Sequence, residues 1–175
     1  MTTKYSTSPL LMCKVLIAQI ISERRPYFDE LREKWHIPQI KPGRPPIVCS
    51  LVWLQGTVRQ VMSQKQFFLD DATGCMQIEC HGNEQDDKAA ASCPKVGEMV
   101  AVIGNLKQPD CVAAAESNWK VTAKTVIRLT SERQFDSSDL SVTSSDRSWG
   151  EGIAELSWPL EVCDMADHFY PNASL

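Results

Sequence analysis

The residues best suited to hold a metal ion are three cysteines and one histidine near the middle of the chain: Cys75, Cys80, His81 and Cys93. Thiolate and imidazole groups are the usual zinc ligands, but structural zinc sites bring two of them together on a tight turn. The spacing C-x4-C-H provides no such pair, and Cys75 and Cys80 would point to opposite faces of a strand because their separation is odd. The sequence therefore predicts free thiols, with no metal and no cofactor.

The residues suited to nucleophilic or acid–base catalysis form no catalytic arrangement. The histidines His36, His81 and His168 stand in no Ser/His or Cys/His motif, and the chain has no G-x-S-x-G elbow and no P-loop. Asp70 and Asp71 are adjacent acids at a predicted turn, where carboxylates usually bind nearby backbone N–H groups. We therefore expect that the protein is not an enzyme.

The stretch "QFFLDDATGCMQIEC" has the pattern of a β-hairpin, the element on which small barrels often hold single-stranded nucleic acid. Such binding needs aromatic side chains for stacking and cations for phosphates. Only one of Phe67 and Phe68 can face outward, and Glu79 stands where a cation would help. Lys120 and Lys124, on a later strand, add little positive charge. The hairpin is therefore poorly equipped to hold DNA.

The hairpin belongs to a series of five runs with strand character: "IVCSLVWLQGTVRQVM", "QFFLD", "CMQIEC", "EMVAVIGNLKQ" and "NWKVTAKTVIRLT". Five strands in about 85 residues predict an OB-fold, a five-stranded barrel, over residues 45–130. The expected fold class is all-β with flanking helices. Gly56 in the long first strand predicts a bulge or bend, and Gly74 predicts a turn residue with positive φ.

The N-terminal extension, residues 1–44, is predicted to be partly helical. Ser8 and Pro9 can start a helix that carries apolar residues at helical spacing as far as Ile21, although residues 15–21 are also rich enough in branched side chains for a strand. A second helix is predicted from Pro26, with apolar residues on one side: Phe28, Leu31 and Trp35. The proline-rich "HIPQIKPGRPP" is predicted to be an extended linker.

The C-terminal part combines a predicted acidic, serine-rich linker at residues 131–150 with an amphipathic helix at residues 151–175. The apolar stripe of the helix is formed by Trp158, Val162, Met165 and Phe169. Pro159 is predicted to stand in the first turn, where proline is tolerated. Two interpretations are open: the flanking helices pack on the barrel of their own chain, or the C-terminal helix packs on a partner.

The charge is unevenly distributed along the chain. Residues 1–46 carry eight basic and four acidic side chains, residues 47–130 eight and nine, and residues 131–175 two and nine, so the net charges are +4, −1 and −7. A protein that binds phosphates normally presents a basic face. A near-neutral barrel with an acidic tail therefore favours a protein partner over nucleic acid.

The longest dense apolar run, from Pro9 to Ile21, is too short to span a bilayer. No small-residue cleavage site follows it, as a signal peptide would require. We therefore expect an intracellular, soluble protein without membrane contact.

Six blocks occur in the order and approximate spacing of one known family: "CKVLIAQI", "VWLQGTV", "LDDATG", "VGEMVAVIGNLKQ", "AKTVIRLTS" and "WPLEVCDM". In these blocks the chain resembles the RecQ-mediated genome instability protein 2 family of small OB-fold proteins. The resemblance covers most of residues 9–171, apart from residues 82–94 and the serine-rich linker. The combination of "VWLQG" with the terminal W-x-LEV-x-D is its most specific part.

The resemblance implies a non-catalytic subunit that pairs with the C-terminal OB-fold of the larger RMI subunit. The pair would belong to an assembly with topoisomerase III alpha and the Bloom syndrome RecQ helicase, which dissolves double Holliday junctions in recombination repair. Also implied are a docking groove for a peptide of the Fanconi anaemia M helicase, a nuclear location and little direct nucleic acid binding. The competing hypothesis is an autonomous single-stranded-DNA-binding OB-fold, similar to a subunit of replication protein A or of a telomere-capping complex.

The resemblance also suggests roles for individual residues. It matches Lys14 and Lys124 to family lysines and Trp158 to a tryptophan of the partner-facing surface. Together with the apolar stripe, this predicts partner contacts by Lys14, Lys124, Trp158, Leu160, Val162, Met165 and Phe169. Structural roles are predicted for Trp53, Gly56 and Gly74. Pro159 and the long acidic linker depart from the family pattern and leave the start of the last helix open.

Overall fold

The computed structural model describes residues 11–80, 93–109, 119–129, 147–168 and 170, with residues 147–156 described by their backbone alone. The elements follow one another as β1 (Met12–Lys14), α1 (Ile17–Ile21), β2 (Tyr27–Asp29), β3 (Lys34–Ile37), β4 (Ile47–Cys49), β5 (Leu51–Ser63), β6 (Gln66–Asp70), β7 (Cys75–Cys80), β8 (Met99–Lys107), β9 (Lys120–Arg128) and α2 (Arg147–His168). Within these ranges no helix combines the length and the apolar character needed to cross a membrane.

Five strands close into a barrel at the centre of the molecule. They are joined in the order β5, β6, β7, β9, β8, and β8 returns to pair with β5. The β7–β9 pair is parallel, and the other pairs of the barrel are antiparallel. A closed five-stranded barrel with this connectivity is an OB-fold. The predicted fold class, an OB-fold barrel with a C-terminal helix, is therefore confirmed, and β1 adds a further strand parallel to β5.

Alternate residues of each barrel strand fill the interior. In β6 these are Phe67 and Leu69, so Phe68 is the aromatic side chain on the outer face. In β7 the buried residues are Met76 and Ile78, which leaves Cys75 exposed. Burial of each large apolar side chain stabilises the barrel by about 1.5–3 kcal/mol.

Gly56 has a structural role, but the predicted bulge lies elsewhere. Gly56 pairs regularly with Val100, and the register shifts occur later in β5, between Val58 and Gln60 and between Val61 and Ser63. A Cβ atom on Gly56 would lie 2.2 Å from the carbonyl oxygen of Asp70. The position needs glycine because the backbone of the neighbouring strand passes too close for a side chain.

The positive φ predicted for Gly74 is wrong, because Ala72 is the turn residue with positive φ, at 67°. Gly74 is needed for a different reason. A Cβ atom there would lie 2.7 Å from Cδ1 of Ile21 and 2.9 Å from Cγ2 of Ile17. The absence of a side chain at Gly74 thus lets α1 approach the β6–β7 turn.

The β6–β7 turn also caps α1, whose first N–H groups have no partner within so short a helix. The carboxylate of Asp71 accepts a hydrogen bond from the Ile17 N–H at 2.8 Å, and the Thr73 hydroxyl accepts one from the Ala18 N–H at 3.1 Å. Asp71 also accepts hydrogen bonds from the backbone N–H and the hydroxyl of Thr73. The adjacent acids therefore bind backbone N–H groups, as expected, and Asp71 is buried in doing so.

The N-terminal extension is mostly β-structure. The helix predicted from Pro26 is wrong, because β2, β3 and β4 form an antiparallel sheet of three strands. Asp29 closes the turn between β2 and β3 by accepting hydrogen bonds from the N–H groups of Leu31 and Arg32. Trp35, which had suggested a helical stripe, is buried and contacts Trp119 edge-on with ring centroids 5.7 Å apart.

The remaining predictions for this extension are partly corrected. Residues 38–46 are the loop that joins the paired strands β3 and β4, so the prediction of an extended linker is wrong. Of the two alternatives for residues 15–21, the helix is present as the short α1, while the strand character appears earlier, in β1. A run of so few residues fits both periodicities, which is why the sequence left the choice open.

The C-terminal helix α2 begins at Arg147, four residues before its predicted start, and Pro159 lies in its interior rather than in its first turn. Of the predicted linker at 131–150, residues 131–146 lie outside the described residues.

Candidate partner-binding site

The inner side of α2 packs on the barrel of its own chain. Trp158 and Val162, four residues apart on one side of the helix, are each 1% exposed and form a small cluster with Leu16, against which Trp53 also packs. Burial by the chain itself corrects the prediction that Trp158 and Val162 are surface anchors for a partner. For these two side chains the structure agrees with the first interpretation, in which the helix packs on the barrel of its own chain.

Lys14 joins this cluster from the end of β1, where it pairs with Trp53 of β5. Its Nζ atom lies 4.8 Å from the ring centroid of Trp53 and 5.3 Å from that of Trp158. The same atom donates a hydrogen bond to Oε2 of Glu161 at 2.7 Å. A cation held over two indole rings and beside a carboxylate attaches α2 to the barrel by electrostatic attraction as well as by apolar burial. We call the set Lys14, Trp53, Trp158 and Glu161 the lysine cage.

Tyr170, which the sequence reasoning missed, fastens the chain just beyond α2. Its hydroxyl accepts a hydrogen bond from the backbone N–H of Lys14 at 2.8 Å and donates one to the carbonyl oxygen of Lys14 at 3.2 Å. These are the polar groups on the outer edge of β1, which would otherwise be unpaired in this strand. Burial raises the pKa of the Tyr170 phenol, so the hydroxyl keeps the proton it donates.

A second electrostatic contact, also missed, ties the last turns of α2 to the β3–β4 loop. The Asp167 carboxylate accepts hydrogen bonds from Lys41 and, at 3.3 Å, from Arg44. The hydrogen bond from Lys41 is the main cause of the lowered pKa of Asp167. No local motif marks this contact, because the two segments are more than 120 residues apart in sequence.

The outer side of α2 carries the predicted partner residue Leu160, which is 72% exposed. Leu160 lies two residues from Trp158, a rotation of about 200° around the helix, so burial of one turns the other outward. Cys163 and Asp164, three and four residues further, are also exposed. Met165 is partly buried against the main core, and Phe169 lies outside the described residues.

Lys124 is not brought near the lysine cage. It is exposed on β9, beyond the residues of that strand that pair with β7. Of the seven predicted partner residues, Trp158 and Val162 are buried within the chain and Lys14 and Met165 are partly buried. Leu160 on α2 and Lys124 on the barrel are exposed, and Phe169 lies outside the described residues.

The outer face of β6 and β7, where an OB-fold would hold a single strand, is occupied by internal ion pairs. Arg59 donates a hydrogen bond to Asp70 at 2.7 Å, and Lys120 donates one to Glu79 at 3.1 Å. These carboxylates neutralise the cations that phosphates would need. The described cysteines are free thiols, and no group of three metal-binding side chains occurs within the described ranges.

The chain is similar to several solved structures. Among them are the hypothetical protein ygiW from E. coli (15% identity over 46% of this chain and 75% of that one, TM-score 0.33) and a chain of a replication protein A heterotrimer bound to single-stranded DNA (12% identity, 89% and 97%, TM-score 0.45). A third is asparaginyl-tRNA synthetase of Entamoeba histolytica in complex with asparaginyl-adenylate, with 11% identity over 83% of this chain and 30% of that one and a TM-score of 0.42.

No curated protein matches the chain. In contrast, the family model "RMI2: RecQ-mediated genome instability protein 2" matches residues 11–166, which include all the described strands, the lysine cage and most of α2. The OB-fold barrel, the C-terminal helix and this match together establish that the chain belongs to the RecQ-mediated genome instability protein 2 family, a family of genome-maintenance proteins.

Proposed function

We propose that this protein is a non-catalytic scaffold subunit that pairs with the C-terminal OB-fold of the larger RMI subunit. Through this pairing it stabilises a nuclear assembly of topoisomerase III alpha and the Bloom RecQ helicase, and so supports double Holliday junction dissolution and recombination repair. Membership of the RecQ-mediated genome instability protein 2 family is the basis for the identity of these partners.

One observation carries the choice of binding surface. The lysine cage and Asp167 hold α2 by its inner side, while Leu160 remains 72% exposed on the outer side. α2 has 22 residues, which corresponds to a length of about 33 Å. A long helix that its own chain fixes on one side leaves its outer side open to solvent, and in our proposal the partner binds along that side, with Leu160 as its apolar contact.

The attachment of α2 also affects the energetics of pairing. A helix that already has its bound position loses little conformational freedom when the partner arrives, so more of the interaction energy remains as affinity. Lys14 and Trp158 would then favour binding indirectly, by fixing the position of α2, while Leu160 contacts the partner. In this proposal Lys14 and Trp158 are positioning residues.

The competing function, an autonomous single-strand binder that uses the β6–β7 face, has less support. Such a face needs cations directed at phosphates, and here Arg59 and Lys120 are bonded to Asp70 and Glu79. A docking groove for a peptide of the Fanconi anaemia M helicase would, in our proposal, be a property of the assembled pair.

The test is a calorimetric titration of the full chain with the purified C-terminal OB-fold of the larger RMI subunit, which measures the affinity of the pair. We expect Leu160→Glu to weaken binding by a factor of ten or more, because a charge would be buried at the centre of the contact. Its Tm should be unchanged, since the side chain is exposed. Leu31→Glu, at a residue that is 98% exposed on the β2–β3 turn, is the matched control and should bind normally.

Normal binding by Leu160→Glu would reject α2 as the contact surface. Absence of any binding by the wild-type chain would reject the pairing itself. A pull-down from nuclear extract with the same three proteins then asks whether the topoisomerase and the helicase are recovered together with the larger subunit, and lost with Leu160→Glu.

A further inference from the structure

Two cysteine side chains meet where β1 passes the junction between β4 and β5. The backbone of β1 is held there because the Ser50 N–H donates a hydrogen bond to the carbonyl oxygen of Leu11 at 2.8 Å. The Cys13 sulfur of β1 lies 3.8 Å from the carbonyl oxygen of Val48 in β4. The thiol of the next residue, Cys49, donates a hydrogen bond to the same sulfur. The two sulfur atoms are therefore neighbours inside the main core, although they are not bonded to each other.

A buried lysine accompanies this pair. Lys34 of β3 is only 7% exposed, and its ammonium group donates a hydrogen bond to the hydroxyl of Ser50, the residue after Cys49. Its positive charge acts on both thiols and favours their thiolate forms. The chain thus places a cation in its interior within electrostatic range of two cysteines.

The two sulfurs differ in their readiness to carry a negative charge. The pKa of Cys13 is lowered, mainly because its thiolate accepts the hydrogen bond from Cys49 and also because Lys34 is near, although burial opposes both causes. The pKa of Cys49 is raised, first because its thiol donates that hydrogen bond and then because it is buried. Cys13 is therefore the nucleophilic sulfur of the pair, and Cys49 holds a proton beside it.

Two other uses of this pair fit the surroundings less well. A soft metal ion would need both sulfurs as thiolates beside the Lys34 ammonium group, and no group of three metal-binding side chains occurs in the part of the chain that the structure describes. Thiols that only fill a core need no cation next to them, and a buried ammonium group is costly to desolvate. A thiolate that is stabilised for a reaction does need one.

We propose that Cys13 and Cys49 form a redox-sensitive modification site, at which hydrogen peroxide converts the two thiols into a reversible disulfide between β1 and β4. The site lies in the barrel and the N-terminal sheet, so the inference does not depend on the proposed partner. In intracellular proteins such a disulfide is usually transient and reports an oxidising condition.

The reaction takes two steps. The Cys13 thiolate first attacks one peroxide oxygen: an S–O bond forms, the O–O bond breaks, and the leaving hydroxide takes up the proton that Cys13 has released. The Cys49 sulfur then attacks the sulfenic acid of Cys13: an S–S bond forms, the S–O bond breaks, and the departing hydroxide carries away the Cys49 proton as water. Two thiols are oxidised and one peroxide is reduced to two molecules of water. Two molecules of a monothiol such as glutathione reverse the change and become a disulfide themselves.

The position of β1 explains both access to the site and the effect of the bond. β1 is the edge strand of the larger sheet, and Cys13 is 6% exposed whereas Cys49 is fully buried. An edge strand opens locally more readily than the core, which admits a small oxidant. The disulfide would fasten β1 to the sheet of β2, β3 and β4. Because Lys14 of the lysine cage directly follows Cys13, the bond would also restrict the strand that holds α2.

The test treats the native full chain with hydrogen peroxide, blocks the remaining thiols by alkylation and maps the peptides by mass spectrometry without reduction. We expect a peptide pair joined through Cys13 and Cys49 that dithiothreitol separates. The Tm of the oxidised chain should exceed that of the reduced chain by about 5 °C or more, because the cross-link restricts the unfolded state. The amides of β1 should exchange hydrogen more slowly after oxidation.

The variants assign the steps. Cys49→Ala should show no cross-link and no rise in Tm on oxidation, and its Cys13 should be trapped by dimedone as the sulfenic acid. Lys34→Met should slow formation of the cross-link several-fold, because less Cys13 is ionised. Cys163→Ser removes an exposed thiol on α2 and is the matched control, in which the cross-link and the rise in Tm should be unchanged.

Three results would overturn the proposal. The first is the absence of the Cys13–Cys49 peptide pair at a peroxide concentration that oxidises the exposed Cys163. The second is a cross-link that forms only when the chain is unfolded in urea, because the pair would then be inert in the native protein. The third is trapping of Cys49 by dimedone in Cys13→Ala at the rate of Cys13 in Cys49→Ala. An unchanged rate in Lys34→Met would overturn the role given to the ammonium group.

Discussion

The lysine cage and the outer face of the β6–β7 hairpin each contain an ion pair of the same length, but the groups around the two pairs differ. In each, a basic side chain donates to a carboxylate at 2.7 Å: Lys14 to Glu161 in the cage, Arg59 to Asp70 on the face. Each pair joins one more exposed and one less exposed side chain: Lys14 is 22% and Glu161 47% exposed, while Arg59 is 61% and Asp70 22% exposed. The difference between the two pairs is that the Lys14 cation also lies over the rings of Trp53 and Trp158.

The comparison shows that the surroundings of an ion pair decide its role. On the open face water and salt screen the pair, so its main effect is to cancel charge that phosphates could use. In the cage the same kind of ion pair is reinforced by the contact of the Lys14 cation with two indole rings, one of them on the helix, and the combination holds α2 in place.

The largest effect should come from the cage. Trp158→Ala removes its most buried large side chain, and we expect it to reduce the free energy that holds α2 on the barrel by about 3–5 kcal/mol. Hydrogen exchange of the α2 amides is the direct measurement. Leu160→Ala, on the exposed side of the same helix, should change it by less than about 0.5 kcal/mol. Equal effects of the two variants would show that Trp158 does not hold α2 on the barrel more strongly than Leu160 does.

A smaller effect in the cage tests the cation itself. Lys14→Met keeps most of the apolar stem but loses the charge, and we expect a loss of about 1–2 kcal/mol in the free energy of unfolding. Lys14→Arg should retain most of this stability, because a guanidinium can lie over the same rings and reach Glu161. Thermal and denaturant unfolding of the full chain provide the comparison. If Lys14→Arg lowers the free energy of unfolding as much as Lys14→Met, the contact of a cation with the indole rings is not the source of this stability.

The smallest effect should be found on the hairpin face. Arg59→Gln breaks an ion pair of the same length as that in the cage, yet we expect the free energy of unfolding to change by less than about 0.5 kcal/mol. Glu161→Gln, the equivalent change in the cage, should cost more. A loss in Arg59→Gln as large as in Glu161→Gln would remove the distinction between the two regions.

The barrel could be predicted from the sequence because its signal is local. The alternation of buried and outward residues in β6 and β7 is visible within fifteen residues, and the structure agrees with it. The position of the turn between them was also visible, although its residue with positive φ is Ala72 and not Gly74. The stripe of α2 was likewise visible at helical spacing, although the surface that covers Trp158 was not.

What could not be predicted depends on segments far apart in the chain. Gly74 needs its small size because α1 packs on it, and Ile17 and Ile21 lie more than fifty residues earlier. Tyr170 bonds to Lys14, and Asp167 to Lys41 and Arg44, with no motif in either segment. The N-terminal hairpin was missed because Phe28, Leu31 and Trp35 fit a helix, while the turn that Asp29 makes decides otherwise.

The contact between Tyr170 and Lys14 has a consequence for synthesis of the protein in the cell. The two residues are 156 positions apart, so at ordinary rates of translation about 8–30 s separate their appearance at the ribosome. During this interval the outer edge of β1 lacks the hydroxyl that covers it, and α2 is still incomplete for most of the time. A nascent chain interrupted before Tyr170 could hold a barrel, but it would expose an uncovered strand edge open to aggregation. Only a chain translated through Tyr170 has the hydroxyl that covers Lys14 at the edge of β1.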